Sequence, residues 1–281
     1  MFRRSAFRKR HLALLQVPIL AGFLVLAPLA WAQPPDTVWL DQLTWTEIRA
    51  ATQAGKRTVI IPVGGTEQSG PFIAVGKHNA RVAVLGEQIA RQLGNALLAP
   101  VIAYVPEGNI NPPSSHMRFP GTISIPPEVF EGLLASAAES FAAHGFTDIV
   151  LIGDHGGYQK NLRHVADRLN RQWAKGPARA HYIAQYYDTI ESSFAPALRA
   201  RGLGDDIGTH ADLMDTALTL ATRPSLVRQQ ALQAATEKPG AAQGVYGGDP
   251  RPATAELGQI GTGAIVAQTV AAIRQATTPR R

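Results

Sequence analysis

The chain has 281 residues, no cysteine and a formal net charge of +6, from 27 lysines and arginines against 21 aspartates and glutamates. Arg3, Arg4, Arg8, Lys9 and Arg10 all precede residue 11 and residues 1–32 hold no acid, so the remainder sets 22 basic residues against 21 acidic ones, or +1. The basic balance therefore belongs to the N-terminus and gives no support for a nucleic-acid partner, while the missing cysteine excludes thiolate metal ligands and a cysteine nucleophile.

The basic start runs into an apolar stretch from Leu12 to Leu29 that ends in Ala30-Trp31-Ala32. This pattern predicts a secretory signal peptide over 1–32, with a membrane anchor as the alternative. Cleavage leaves a chain of 249 residues starting at Gln33, periplasmic or secreted and free of the membrane. Arg3-Arg4 admits twin-arginine export. Alternating strand and helix signals over 33–281 predict one α/β domain with a mostly parallel central sheet and helices on both faces.

Thr44-x-x-Glu47 reads as a capping box opening a helix that ends near Gly55. Thr58 to Ile61 is a buried parallel strand, with Pro62, Gly64 and Gly65 expected to stop its pairing. The polar loop after it offers Glu67, Gln68, Ser69, Lys77, His78 and Asn79 just past the carboxyl end of a strand, where open α/β sheets bind ligands. A helix follows from Asn79 to Leu93, then a strand from Ala96 to Val101.

Tyr104 to Ile125 has too many prolines and glycines for regular structure, and its length marks it as a functional loop carrying His116. Helical spacing returns from Pro127 to Ala143, and Asp148 to Ile152 is a second buried strand leading into Gly153-Asp154-His155-Gly156-Gly157. Tyr158 to Trp173 reads as a helix and Ala180 to Tyr187 as a strand. Thr209-His210-Ala211-Asp212 introduces another helix, Glu237 to Ala255 is a glycine-rich loop, and Leu257 to Gln275 is the last helix.

Glu67, His78, Asp154, His155, His210 and Asp215 form a nitrogen and oxygen donor set without sulfur, suited to zinc, iron or manganese in a catalytic site. His210 and Asp215 are about 140° apart on a helix, so both face one site only if His210 lies just before it.

At four places the chain resembles the creatininase (creatinine amidohydrolase) family. Pro62 through Glu67-Gln68-Ser69-Gly70-Pro71 is similar to that family's strand and Glu-Gln-His-Gly-Pro-His motif, and His116-Met-Arg-Phe119-Pro120-Gly121-Thr122 to its His-x-x-Phe-Pro-Gly-Thr. Gly153 to Gly157 resembles Asn-Gly-His-Gly-Gly, and His210-Ala211 through Asp215-Thr216 resembles His-Ala-Gly-x-x-Glu-Thr-Ser. The resemblance implies an α/β sandwich, often hexameric, and a metal-dependent hydrolase of amide C–N bonds in small molecules, commonly with two divalent ions. It places Glu67 and His155 on metal ligands, Asp215 on a late glutamate and His210 on a histidine linked to proton transfer.

Ser69, Phe72 and His78 depart from that pattern, His78 standing where the family has a metal-bridging aspartate. A carboxylate can serve two cations, whereas a neutral imidazole gives one lone pair to one. These departures predict a single-metal site, zinc first and manganese or iron as alternatives, held by Glu67, His78, Asp154 and His155. His210 and Asp215 are expected to move protons, and Ser69, His116 and Tyr158 to meet the substrate. Two other readings stand beside it: a non-catalytic binding protein on the same fold, and a lactone or ester hydrolase.

Overall fold

The structure, a computed structural model, describes residues 35–278, and the expected leader over 1–32 lies outside them. Among the described residues four strands, β1 (Thr58–Val63), β2 (Ala96–Leu98), β3 (Asp148–Gly153) and β4 (Arg179–Tyr182), form a parallel sheet in the order β2-β1-β3-β4. All of β1 is buried, as is β3 after Asp148. Both strands are covered on both faces, which is why they read as unbroken apolar runs.

The two-residue period survives as a choice of face. Ile60, Val150 and Ile152 enter one core, while Val59, Ile61, Val63, Ile149 and Leu151 enter the other. Helices α1 (Trp45–Gln53), α2 (Lys77–Leu93), α3 (Pro127–Ala143) and α4 (Gln159–Gln172) alternate with the strands. Val82, Leu85 and Ile89 of α2 fill the first core, and each contributes about 1.5–3 kcal/mol by its burial. Phe130 and Leu134 of α3 and Leu162 and Leu169 of α4 fill the second.

The remaining helices are α5 (Gln185–Thr189), α6 (Ala195–Arg199), α7 (Leu213–Thr222), α8 (Gln229–Ala234) and α9 (Ala255–Thr277). Leu213 and Ala217 of α7 and Ile265 and Val270 of α9 close the first core, so the sheet is the middle of three layers, the expected α/β sandwich. Helices α7 and α9 approach so closely that a Cβ on Gly258 would collide with the Ala217 carbonyl.

The chain leaves β1 in one direction to form β2 and returns to the other side of β1 to form β3. That reversal opens a crevice beyond the carboxyl ends of β1 and β3, the usual ligand position in an open α/β sheet.

Some boundaries differ from the sequence reading. Pro62 lies inside β1 opposite Ile152, not at its end. Its missing N–H is tolerated because the β2 ladder has already ended at Leu98, while its carbonyl accepts from Ile102 N–H at 3.0 Å. Helix α2 begins two residues early, which puts His78 on the helix. The expected strand to Tyr187 stops at Tyr182: Ile183, Tyr186 and Thr189 are the buried positions, and a spacing of three belongs to a helix.

Candidate active site

The loop after β1 is folded back against α2. Gly64 touches the Asn79 backbone closely enough that any side chain there would clash. Asn79 Oδ1 accepts from Gly65 N–H at 2.9 Å, and Glu67 N–H donates to the Val75 carbonyl at 3.1 Å. Glu67 is thereby held fully buried beneath the crevice. The loop after β3 is fixed by Tyr158, whose hydroxyl donates toward the Gly64 carbonyl at 2.6 Å and accepts from the Asp154 and His155 N–H groups at 3.1 Å each.

Glu67, Glu107, His116 and His155 converge there, and each offers one ligand atom within 4.8 Å of the others. His116 and His155 both turn Nε2 toward Glu67 Oε2, at 3.3 Å each. His116 Nδ1 lies beside the Gln68 amide nitrogen at 3.1 Å and His155 Nδ1 accepts from Gly157 N–H at 3.2 Å, bonds that put the neutral rings' protons on Nε2, so ligation through Nε2 takes a shift of the proton to Nδ1. Glu107 Oε1 lies 3.6 Å from His155 Nδ1. Glu67 Oε2 and both oxygens of Glu107 are buried without a hydrogen-bond partner among the described residues.

Three carboxylate oxygens without a partner are costly in a protein interior, and either a proton held between Glu107 and Glu67 or a cation relieves them. The 3.3 Å separations also match the edge of a tetrahedron with metal–ligand bonds of about 2.0–2.1 Å, which is roughly 3.4 Å. These residues fit a divalent ion. In its absence burial, and then Glu67, push the Glu107 carboxyl up to about 9. Burial also lowers His116, keeping its imidazole neutral. Glu67 behaves oppositely: burial would raise it, but Lys77, then His155 and His78, hold it well below the usual range.

His78 and Asp154 belong to a neighbouring ion-pair network and not to this group. His78 Nε2 lies 2.7 Å from Glu67 Oε1 and its Nδ1 2.6 Å from Asp154 Oδ1. Its Nδ1 also meets Arg81 Nη2 at 3.1 Å, so both ring nitrogens are engaged within the network. The two carboxylates outweigh burial and Lys77 and raise its pKa. Asp154 is occupied by Arg81 Nε at 2.8 Å and by the Tyr186 hydroxyl at 2.8 Å. Asp215 accepts from Lys77 Nζ at 2.7 Å and from Ala211 N–H at 2.8 Å. Against the effect of burial, Lys77 and Arg81 hold Asp215 well below the usual carboxylate range, so it is an anchored anion rather than a proton carrier.

His210 lies just before α7, the position its pairing with Asp215 requires. Its Nε2 sits 2.8 Å from the Gln68 carbonyl, so Nε2 carries the proton and donates, leaving a lone pair on Nδ1, 3.5 Å from Glu67 Oε1. Burial, then Lys77, push its pKa down to about 3. Ser115 and Ala211 have φ of 50° and 52°, the positive-φ non-glycine residues among those described, and each adjoins a site histidine. Strain of about 1–3 kcal/mol per residue is thus held where His116 and His210 are aimed.

The crevice is a cavity of ≈ 370 Å³ walled by His116, His155, His210, Tyr187, Met214 and Tyr246. The structure therefore brings Glu67, His116, His155 and His210 to one place. Ser69 is buried with its hydroxyl 3.4 Å from the Glu67 carbonyl, and Tyr158 is buried behind the loop it pins, so both act on backbone. Sequence reasoning missed Glu107, an acid between Pro106 and Gly108; the available signal was its place in the same irregular loop as His116. It also missed Arg81 and the wall residue Tyr246.

The family described as creatininase, creatinine amidohydrolase, matches residues 41–273. The chain belongs to the creatininase family. Among curated relatives, the 3-dehydro-scyllo-inosose hydrolase of Thermotoga maritima is 27% identical over 200 residues, covering 70% of this chain and 60% of the relative's length. The creatinine amidohydrolase of Pseudomonas putida is 26% identical over 198 residues, 68% of this chain and 74% of that protein. A crystal structure of creatinine amidohydrolase superposes with a TM-score of 0.72 at 22% identity, over 88% of this chain and all of that one. Other creatininase structures on this fold are described as a manganese form and a Zn-Zn type.

Proposed function

We propose that this chain is a periplasmic, metal-dependent hydrolase of an amide or cyclic-amide C–N bond in a small molecule. The observation that carries the reading is the convergence of three partnerless carboxylate oxygens with two imidazoles, His116 and His155, that line a cavity together with His210. Glu67, Glu107, His116 and His155 would hold the ion, with zinc or manganese the metals named for solved creatininases. A divalent ion bound there supplies Lewis acidity to a carbonyl and acidifies water.

The chain's own side chains do the rest. Tyr187, Met214 and Tyr246 enclose the substrate and exclude bulk water, which strengthens each electrostatic contact inside. His210 Nδ1 accepts a proton from the attacking water as its oxygen bonds to the carbonyl carbon. The same proton passes to the leaving nitrogen as the C–N bond breaks, so that water is added across the bond. His78, Lys77 and Arg81 keep Glu67, Asp154 and Asp215 ionised and in place.

Relatives are named for creatinine, for 3-dehydro-scyllo-inosose and for a mycofactocin precursor peptide, so membership alone selects no substrate. The test is hydrolysis of a panel of cyclic and linear amides, with lactones as the competing class, before chelation, after it and after return of Zn²⁺ or Mn²⁺. The expected result is C–N cleavage that chelation abolishes and the ion restores. Bound metal with no turnover of any member would favour the binding-protein reading. Export is checked by fractionating cells that express the full chain.

A further inference from the structure

We infer that the Lys77 ammonium fills the position of a second cation beside Glu67, so that the centre takes one divalent ion and no more. The inference rests on Glu67, Glu107, His116 and His155 being the ion's ligands. Glu67 divides its two oxygens between two neighbourhoods. Oε2 faces His116 and His155 at 3.3 Å each and has no hydrogen-bond partner among the described residues. Oε1 is bonded by His78 at 2.7 Å, with Lys77 Nζ at 3.5 Å.

The Lys77 side chain is fully buried and its Nζ lies 2.7 Å from Asp215 Oδ2. It sits between the donors a second metal would need, Glu67 Oε1 and Asp215 Oδ2, with His210 Nδ1 only 3.5 Å from the same Oε1. Its backbone is set at the start of α2, where its N–H is bonded to the Ala74 carbonyl at 3.2 Å, and its Nζ is held by the two carboxylates. An ammonium and a divalent ion cannot share those oxygens.

The test is to count ions on the full chain. Wild type and the variants Lys77→Ala, Lys77→Gln and Lys77→Arg are saturated with Mn²⁺, freed of excess and measured by elemental analysis, with electron paramagnetic resonance as a second readout. Wild type and Lys77→Arg are expected to hold about one ion per chain, with the spectrum of an isolated Mn²⁺. Lys77→Ala and Lys77→Gln are expected to approach two, with a spin-coupled spectrum and a further rise in melting temperature as the second ion binds. Two ions on wild type, or one ion on folded neutral variants, would overturn the inference and leave the ligand assignment standing. No ion on wild type would overturn the ligand assignment and the inference with it. The wild-type count decides even if both neutral variants fail to fold.

Discussion

Glu107 is the residue on which ion binding turns, because both its oxygens are buried with no hydrogen bond among the described residues and its carboxyl is pushed up to about 9. Glu107→Gln keeps the shape and removes the charge. Ion affinity should fall by more than the roughly 10- to 100-fold that loss of a partner behind a ligand costs, in a calorimetric titration, with little change in the melting of the metal-free chain. His155→Ala and His78→Ala should separate cleanly. The first loses the ion. The second keeps it but destabilises the fold by about 3 kcal/mol in chemical denaturation, because Glu67 and Asp154 each lose a buried charged partner. Glu67 and His155 were legible in sequence as candidate ion donors and His116 as a candidate substrate contact, because each follows a strand or sits in an irregular loop; that His116 turns Nε2 to Glu67 beside His155 was not. The role of His78 was not: residue type told of a donor, whereas its two carboxylate partners arrive from the loops after β1 and β3. Glu107 carried no motif of its own.

At the scale of elements, the surest readings were those in which local chemistry and burial agree. The capping box is present as expected, with Thr44 N–H bonded to Glu47 Oε2 at 2.7 Å and Glu47 N–H to Thr44 Oγ1 at 3.4 Å. Thr44→Ala should cost about 1 kcal/mol in denaturant unfolding. Helix α3 also matches its expected bounds, from its N-terminal Pro127 to Ala143. Readings failed where an apolar run served either structure, as between Ala180 and Tyr187, and where a turn residue was taken as a stop, as at Pro62. The contact of α7 with α9 was invisible in sequence, although it depends on glycines, Gly258 against the Ala217 carbonyl and Gly261 against Leu218. Gly258→Ala drives a methyl into the Ala217 carbonyl and should destabilise by about 1–3 kcal/mol, measured by the same unfolding experiment.

For the whole molecule, the sheet's strand order decides where the crevice opens, and an ion held by Glu67, Glu107, His116 and His155 would tie the loops of both central strands to the Tyr104–Ile125 segment. Ion binding should therefore stabilise the entire fold. At about 1,000 times the dissociation constant the gain is about 4 kcal/mol, or on the order of 10 °C in melting temperature, and chelation should reverse it. Among the described residues no helix is long and apolar enough to cross a membrane. Tyr104, Ile110, Val129 and Leu133 expose large apolar side chains in the functional loop and on α3, which supports the proposal that copies of the chain associate; light scattering of the purified chain checks it. The central claim is the location of the ion, and anomalous diffraction from crystals loaded with Zn²⁺ tests it most directly. One peak is expected within about 2.0–2.2 Å of donor atoms from Glu67, Glu107, His116 and His155. A peak coordinated by His78 and Asp154, or none at saturating metal, would contradict it.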